Sequence, residues 1–463
     1  MTHLETPGAA SQEAVKGGQA AFTTQSPSRV AEIEASMGAR DGQRAMQRLA
    51  RCPDNAHGNP HSDPALISHA IALAPELKVV LHIALRRSVL AAMAQQGVFG
   101  GERRLVLESV GTADAVALRA IRQLVPGAIQ EVARLVYQAP SELTNGLHDT
   151  AAAEVADLLG GLGFRVSVAP SDAAFRAGVG EFEIALVVTD MDRLPSAIAE
   201  AAAFLGTDLA TARRLVCRAP AVLVSNISEA TVSAVRDRFG RFGVDVDVSR
   251  LSAARYYAVV AVDNPALRRT VTELIRDIAS DAAVVETQAA LTVADLSLEN
   301  AQALWGRLQR TGARASICNR DLERYDVSLN QAPDTAPMRE MLVDIGLPVR
   351  VVPRVLGKLP VIIRQNVGHT AMQALLDRVA DLGGRATGLP HSFQRFALVL
   401  RSVKDAPGAI KALVSLGDLP ELAASAAVKE AKGVLVGNFT RTTALWLQHT
   451  LAVQGSDAGI ELL

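Results

Sequence analysis

Val132-Ala-Arg-Leu-Val-Tyr-Gln-Ala-Pro140-Ser-Glu-Leu143 returns further along the chain as Ala212-Arg-Arg-Leu-Val-Cys-Arg-Ala-Pro220-Ala-Val-Leu223. It returns a third time, more weakly, as Pro353-Arg-Val-Leu-Gly-Lys-Leu-Pro360-Val-Ile-Ile363. Self-similarity at a fixed spacing is the signature of a repeat architecture, and it is the first thing to settle. Each copy leads into an amphipathic helix, a glycine and a short alternating strand. The helical faces are Val155, Leu158, Leu159 and Leu162, then Val232, Val235, Phe239 and Phe242, then Ala301, Leu304, Trp305 and Leu308. Met372, Leu375, Leu376 and Val379 form the fourth, and Ala444, Leu447 and Leu451 the fifth. Apolar residues at i, i+3, i+4 and i+7 share one side of a helix.

The punctuation repeats too. Asp149, Ser228, Ser297, Thr370 and Thr440 stand where a helix N-cap is required, and Thr370 with Gln373 has capping-box spacing. Gly163, Gly243, Gly312, Gly383 and Gly455 stand where a left-handed residue ends a helix. Their spacing of roughly 70–80 residues is that of a small domain rather than of a solenoid turn.

Each unit opens on an apolar strand: Arg104–Val110, Phe182–Val188, Tyr256–Val262, Tyr325–Leu329 and Phe396–Leu400. Closing strands are visible at Phe164–Val168, Val244–Val248 and Gly459–Leu463. In Val244-Asp-Val-Asp-Val248 the valines face one way and the aspartates the other. The order is β-α-α-β-α-β, so the expected fold is α+β: five tandem two-layer α/β sandwich modules, each with a three-stranded antiparallel sheet, after a helical, partly disordered N-terminal region. The expected boundaries are 1–64 for a disordered tail, short helix and linker, and 65–98 for a leader helix opened by Pro75. The modules are expected at 99–170, 180–249, 254–318, 324–389 and 394–463. The leader helix either packs on the first module or mediates oligomerisation. Units this small are marginal alone, so neighbours are expected to support one another.

Composition bounds the rest. Of 463 residues, 49% are hydrophobic, 21% charged and only 4% aromatic, so the cores must be built from Ala, Val, Leu and Ile. A net charge of -1 offers no global attraction to nucleic acid or to an anionic membrane. The most apolar stretch, His69 to Met93, carries Glu76, Lys78, Arg86 and Arg87, which argues against membrane insertion. Cys52, Cys217 and Cys318 are too few and too scattered for a disulfide framework, and the first residues have no secretory pattern. Both point to the cytoplasm.

The second unit carries a family resemblance. Phe204-Leu-Gly-Thr-Asp-Leu-Ala-Thr-Ala-Arg-Arg-Leu-Val-Cys-Arg-Ala-Pro220, Ala221–Thr231 and Phe242–Val248 resemble the C-terminal domain of the bacterial ribosomal stalk protein. The likeness extends over most of the first unit. In stalk domains a basic residue among small apolar ones on the first helix contacts translational GTPases. That role falls on Arg119 and Arg122 in Ala117-Leu-Arg-Ala-Ile-Arg122, and on Lys411 in Ala409-Ile-Lys-Ala-Leu413. The second unit has Glu200 at the matching place, and Arg268 and Arg339 match it only approximately. No stalk-type hinge or dimerisation region is recognisable. A protease adaptor that recognises N-end-rule substrates is similar in fold, but its peptide-binding pattern is missing.

No catalytic constellation stands out. The nine histidines recur at no common position, and phosphate loops, nucleophile elbows and His-Glu-x-x-His pairs are missing. Gly100-Gly101 reads as a tight turn, Cys217 as a small core residue, and Arg236, Arg238 and Arg241 as a solvated helix face. Cys52, His57 and His61 fall in a Pro/Gly/Asn-rich linker with no frame to hold a metal. No catalytic residue, cofactor or metal is therefore assigned. The expectation is a non-enzymatic protein-binding adaptor or scaffold, with a GTPase-contacting translation factor and a self-assembling structural protein as alternatives. Its partners would be proteins, itself included.

Overall fold

A computed structural model of the chain describes residues 99–463, apart from 116, 119, 120, 122–124, 126, 127, 263, 288, 289, 431 and 432. The expected tail, linker and leader helix, and the Arg119 and Arg122 pair, lie outside the described residues. The fold is α+β, with repeated sheet-and-helix modules.

Module one contains β1 (Phe99–Ser109), α1 (Ile129–Tyr137), β2 (Ser141–Leu147), α2 (Asp149–Gly161) and β3 (Arg165–Pro170). Module two contains β4 (Phe182–Val187), α3 (Leu194–Leu205), α4 (Leu209–Val216), β5 (Ala221–Ile227), α5 (Glu229–Gly240) and β6 (Asp245–Arg250). Module three contains β7 (Tyr256–Ala261), α6 (Pro265–Ile278), β8 (Val284–Glu286), β9 (Ala290–Leu296), α7 (Leu298–Thr311) and β10 (Ala315–Asn319). Module four contains β11 (Arg324–Gln331), α8 (Ala336–Asp344), α9 (Val352–Leu356), β12 (Val361–Gly368), α10 (His369–Asp381) and β13 (Arg385–Pro390). Module five contains β14 (Phe396–Ser402), α11 (Ala406–Ser415), α12 (Glu421–Glu430), β15 (Val434–Phe439), α13 (Arg441–Val453) and β16 (Asp457–Leu462).

The opening strand is central in every sheet, with antiparallel neighbours in the orders β2-β1-β3, β5-β4-β6, β12-β11-β13 and β15-β14-β16. Module three departs from the expected pattern. Its sheet is four-stranded, β10-β7-β9-β8, because a strand replaces the second helix. Ser280 and Asp281 end the long α6 in a turn, and the β-branched pair Val284-Val285 then extends along β9.

One face of each sheet takes the helices. In module five Leu398, Leu400, Ala409, Leu413, Ala424, Ala444, Leu447 and Leu451 are all fully buried. Ala258, Val260, Val271, Leu291, Leu304 and Leu308 do the same in module three, and Val327, Leu329, Met338, Leu342 and Val379 in module four. Burying one such Leu or Val stabilises by about 1.5–3 kcal/mol, and alanines on the helix faces let the layers approach closely.

The five helix-ending glycines all adopt positive φ, from 65° at Gly243 to 96° at Gly163. Capping is less uniform. Ser297 and Thr440 cap α7 and α13 by accepting from the N–H of Asn300 and Thr443, and Ser228 Oγ lies 3.4 Å from Thr231 N. In modules one and four the caps are His148 and Gly368, so Asp149 is already inside its helix and Thr370 is displaced by two residues. The capping box expected of Thr370 and Gln373 does not form, and Gln373 bonds Asp377 instead. What is constant is distance from the sheet: the cap directly follows the last apolar residue of the second strand.

That second strand carries a further repeat. Gly146, Asn226, Asp295 and Asn366, each two residues before the helix cap, have φ of 78°, 59°, 60° and 55°, and Gly437, three residues before its cap, has φ of 81°. Beside Gly146, Asp295, Asn366 and Gly437 the ladder to the central strand slips register, as a bulge requires. Only Gly, Asn and Asp take this backbone there, the residues that tolerate a left-handed conformation. Gly100-Gly101, expected as a tight turn, lies within β1. Gly101 runs so close to the Leu147 backbone that no side chain fits.

Contacts divide the chain into two compact units, one reaching Gly180 and including 202–208 and 227–235, the other holding the remainder. No helix among the described residues is long and apolar enough to cross a membrane.

Candidate functional site: docking surfaces and a buried polar cluster

The motif that revealed the repeat also builds a surface. In modules one and two, the residues after α1 and α4 turn into the second strand through cis Ala139-Pro140 and cis Ala219-Pro220. They present backbone carbonyls as a shelf. In the first compact unit, Ser228, at the start of α5, donates its hydroxyl to the Ala139 carbonyl and its N–H to the Tyr137 carbonyl, the latter at 3.0 Å. The Tyr137 ring packs against Phe204 at the end of α3, with centroids 5.6 Å apart.

The second compact unit repeats the arrangement with other modules. Thr440, at the start of α13, donates its hydroxyl to the Cys217 carbonyl at 2.7 Å. Arg213 of α4 reaches the loop after α11, donating to the Ser415 and Leu416 carbonyls at 2.8 and 2.6 Å and pairing with Asp418 at 2.5 Å. Tyr137 and Cys217 are the same repeat position, and Ser228 and Thr440 are the same repeat position. The shelf of one module thus receives the capped helix end of another, once from module two and once from module five. The covered positions are buried: Tyr137 is 6% exposed, Ala139 0%, Cys217 6% and Ser228 3%.

The second assembly of polar groups lies on the open faces of the sheets in the second unit. Glu323, wholly buried between β10 and β11, accepts from the hydroxyls of Tyr257 and Ser392, and from the N–H groups of Ser392 and Arg324. Asp326, 4% exposed, meets His391 Nε2 at 3.0 Å, the Arg441 guanidinium, Gln394 Nε2 and the Asn366 N–H. Burial pushes the Asp326 carboxyl up, but the His391 hydrogen bond and the Arg441 charge outweigh it and hold the group below its ordinary value. Glu183 of β4 is held above its ordinary value by burial, against hydrogen bonds from Asn319 and Ser225. Arg324 pairs with Asp247 of β6 at 2.5 Å. Burial raises the Tyr257 phenol strongly.

Glu323 and Asp326 each have four protein donors, which is full lone-pair capacity, so neither of these two has an acceptor site left for a substrate. Open space lies elsewhere, in a groove of about 370 Å³ along β12 between Ile345-Gly346-Leu347 and Ile362–Val367. Its one charged residue, Arg364, is spent on the Ile345 carbonyl at 2.7 Å.

No known family model matches the chain, and no curated protein or solved structure was found similar to it.

Of the residues singled out from the stalk resemblance, Lys411 is described and stands exposed on α11, apart from the buried cluster. Arg268 pairs with Glu286 at 3.5 Å, and Arg339 with Asp334 at 2.6 Å. The expected solvated face of α5 needs correction. Arg238 is 6% exposed and forms a buried pair with Glu200, while Arg236 is exposed. Glu200 is the residue found where the resemblance calls for a basic one, and its charge is answered from the adjoining helix. Cys217 is buried and its thiol is pushed by burial up to about 11, which suits a packed residue rather than a nucleophile. Among the described residues no group of three or more His, Cys, Asp and Glu is placed to hold a metal.

The polar cluster was missed at the level of sequence, although one signal pointed to it. Ala254-Arg255-Tyr256, Glu323-Arg324-Tyr325 and Gln394-Arg395-Phe396 repeat an Arg–aromatic step at the start of three modules. The aromatic residue seals the core each time, at 6%, 7% and 7% exposure, and the residue two before it enters the cluster in the last two cases.

Proposed function

We propose that this chain is a non-enzymatic scaffold whose modules are docking units for proteins. The observation that carries the reading is the repeated use of one pair of surfaces, since the fold binds another copy of itself twice through equivalent residues. A module that recognises a capped helix end on a carbonyl shelf is a recognition device, and a string of them presents several. The saturation of the buried carboxylates supports the same reading.

The test is affinity capture with the full-length chain at low and moderate salt, followed by reconstitution from purified components. A stoichiometric protein partner supports a scaffold. Failure to bind any protein in reconstitution defeats it. The stalk resemblance names translational GTPases as one class of partner, and the exposure of Lys411 on α11 favours testing them first. Capture of such a GTPase that is lost in a triple variant, Arg119→Ala, Arg122→Ala and Lys411→Ala, identifies that partner; capture unchanged by it removes the GTPase reading alone.

A further inference from the structure

Module four has a shelf that nothing among the described residues covers. Gly357, Lys358 and Pro360 align with Tyr137, Gln138 and Pro140 and with Cys217, Arg218 and Pro220. Where Tyr137 and Cys217 are buried beneath another module, Gly357 is exposed, as are Lys358 and Pro360. Arg350 and Arg354 are exposed beside them, so the bare shelf is basic. Helix-end carbonyls and cations together suit a ligand that brings hydrogen-bond donors and negative charge.

The chain also carries an uncovered helix end. His148, Asp149 and Thr150 at the start of α2 are exposed, whereas the equivalent Ser228 is buried and Thr440 half-buried. The first two turns of α2 are acidic, with Asp149 and Glu154 both exposed, and the pair of Asp149 with Arg103 at 2.7 Å lies open to solvent. An N–H of the His148 ring can supply the donor that the Ser228 and Thr440 hydroxyls supply in the two covered cases.

We propose that the module-four shelf accepts the start of α2 from a second copy of this chain. The inference rests on the docking reading above and extends it between molecules. The occupant follows from the two precedents within the chain, in which every covered shelf is covered by a helix end of this fold, and from the charge of the two bare surfaces. Such a contact joins two different surfaces, so it closes as a reciprocal dimer or a ring, or propagates into filaments.

Sedimentation velocity on the full-length chain across a wide concentration range tests it. The parent chain is expected to show species that grow with concentration. Arg354→Glu with Lys358→Glu blocks the shelf, and Asp149→Lys with Glu154→Lys blocks the helix end. Each variant is expected to associate at least about tenfold more weakly, equivalent to about 1.4 kcal/mol. Mixed together, the two variants set an intact helix end against an intact shelf and the reversed charges against one another, so association is expected to return. A parent that stays monomeric throughout, or association that the shelf variant leaves unchanged, overturns the proposal. The shelf substitutions lie on exposed loop and helix positions, so they decide the matter even if the α2 variant fails to fold. A monomeric chain that still binds a purified protein partner would refute self-association and leave the scaffold reading intact.

Discussion

The Thr440 hydroxyl donates to the Cys217 carbonyl at 2.7 Å, joining residues 223 positions apart in the chain. The same oxygen accepts from the Thr443 N–H and so caps α13. Thr440→Val removes the cap and strands a part-buried carbonyl, and is expected to cost about 2 kcal/mol in urea unfolding. Thr440→Ser keeps both interactions and is expected to stay within about 0.5 kcal/mol of the parent.

Asp326 anchors Arg441 and His391, and its carboxyl is held below the ordinary value. A depressed folded-state value means that its contribution is present above the unfolded value, about 4, and is lost as pH falls through the folded one. Asp326→Asn is expected to cost about 2–4 kcal/mol at neutral pH, because it leaves the part-buried Arg441 guanidinium uncompensated. The gap between variant and parent should close as pH falls below about 4, measured by unfolding along a pH series.

Glu183 carries the opposite sign. Its folded-state value is raised by burial, so the folded chain holds that proton more readily than the unfolded one. Its charged form therefore weighs against folding once pH exceeds the folded value. Glu183→Gln keeps an oxygen for Asn319, 2.8 Å away, and is expected to raise stability at pH 7. The advantage should vanish as pH falls to about 4, where both residues are neutral in the folded chain.

Gly312 and Gly163 occupy the same repeat position, with φ of 72° and 96°. A methyl group on Gly312 meets nothing within 4 Å, whereas on Gly163 it would lie 2.8 Å from Ala113 N. Gly312→Ala is expected to cost about 1–2 kcal/mol, the strain of left-handed backbone alone. Gly163→Ala adds a backbone clash and should cost at least about 1 kcal/mol more. Calorimetric unfolding of the two variants separates them.

Cys217 and Cys318 are buried and unpaired, and burial raises both thiols. With the Cys217 thiol at about 11, only about one molecule in a thousand carries its thiolate at pH 8. Peptide mapping after alkylation of the native chain should find both residues unmodified, and both modified once urea is added.

These outcomes turn on features of unequal visibility. The opening strands, helix faces and five terminal glycines are local patterns, with periods of two and 3.6 residues, and the structure places them as the residues imply. The caps at His148 and Gly368 were hidden because neither side chain caps its helix, so position relative to the strand decides, not residue type. The lost helix of module three turns on Val284-Val285, too short a run to outweigh four neighbouring copies of the pattern. Arg238 was misjudged because its partner Glu200 sits 38 residues away. The acidic cluster was illegible for the same reason. Glu323 and Ser392 are 69 residues apart, Asp326 and Arg441 115, and no local window contains both members of either pair.

The contact between Cys217 and Thr440 also sets an order of events during synthesis. A chain is made from its N-terminus, and domains fold as units while it grows. The shelf of module two is complete long before Thr440 has been polymerised, and it waits uncovered while modules three and four are made. A nascent or prematurely terminated chain therefore displays a surface that the finished protein hides.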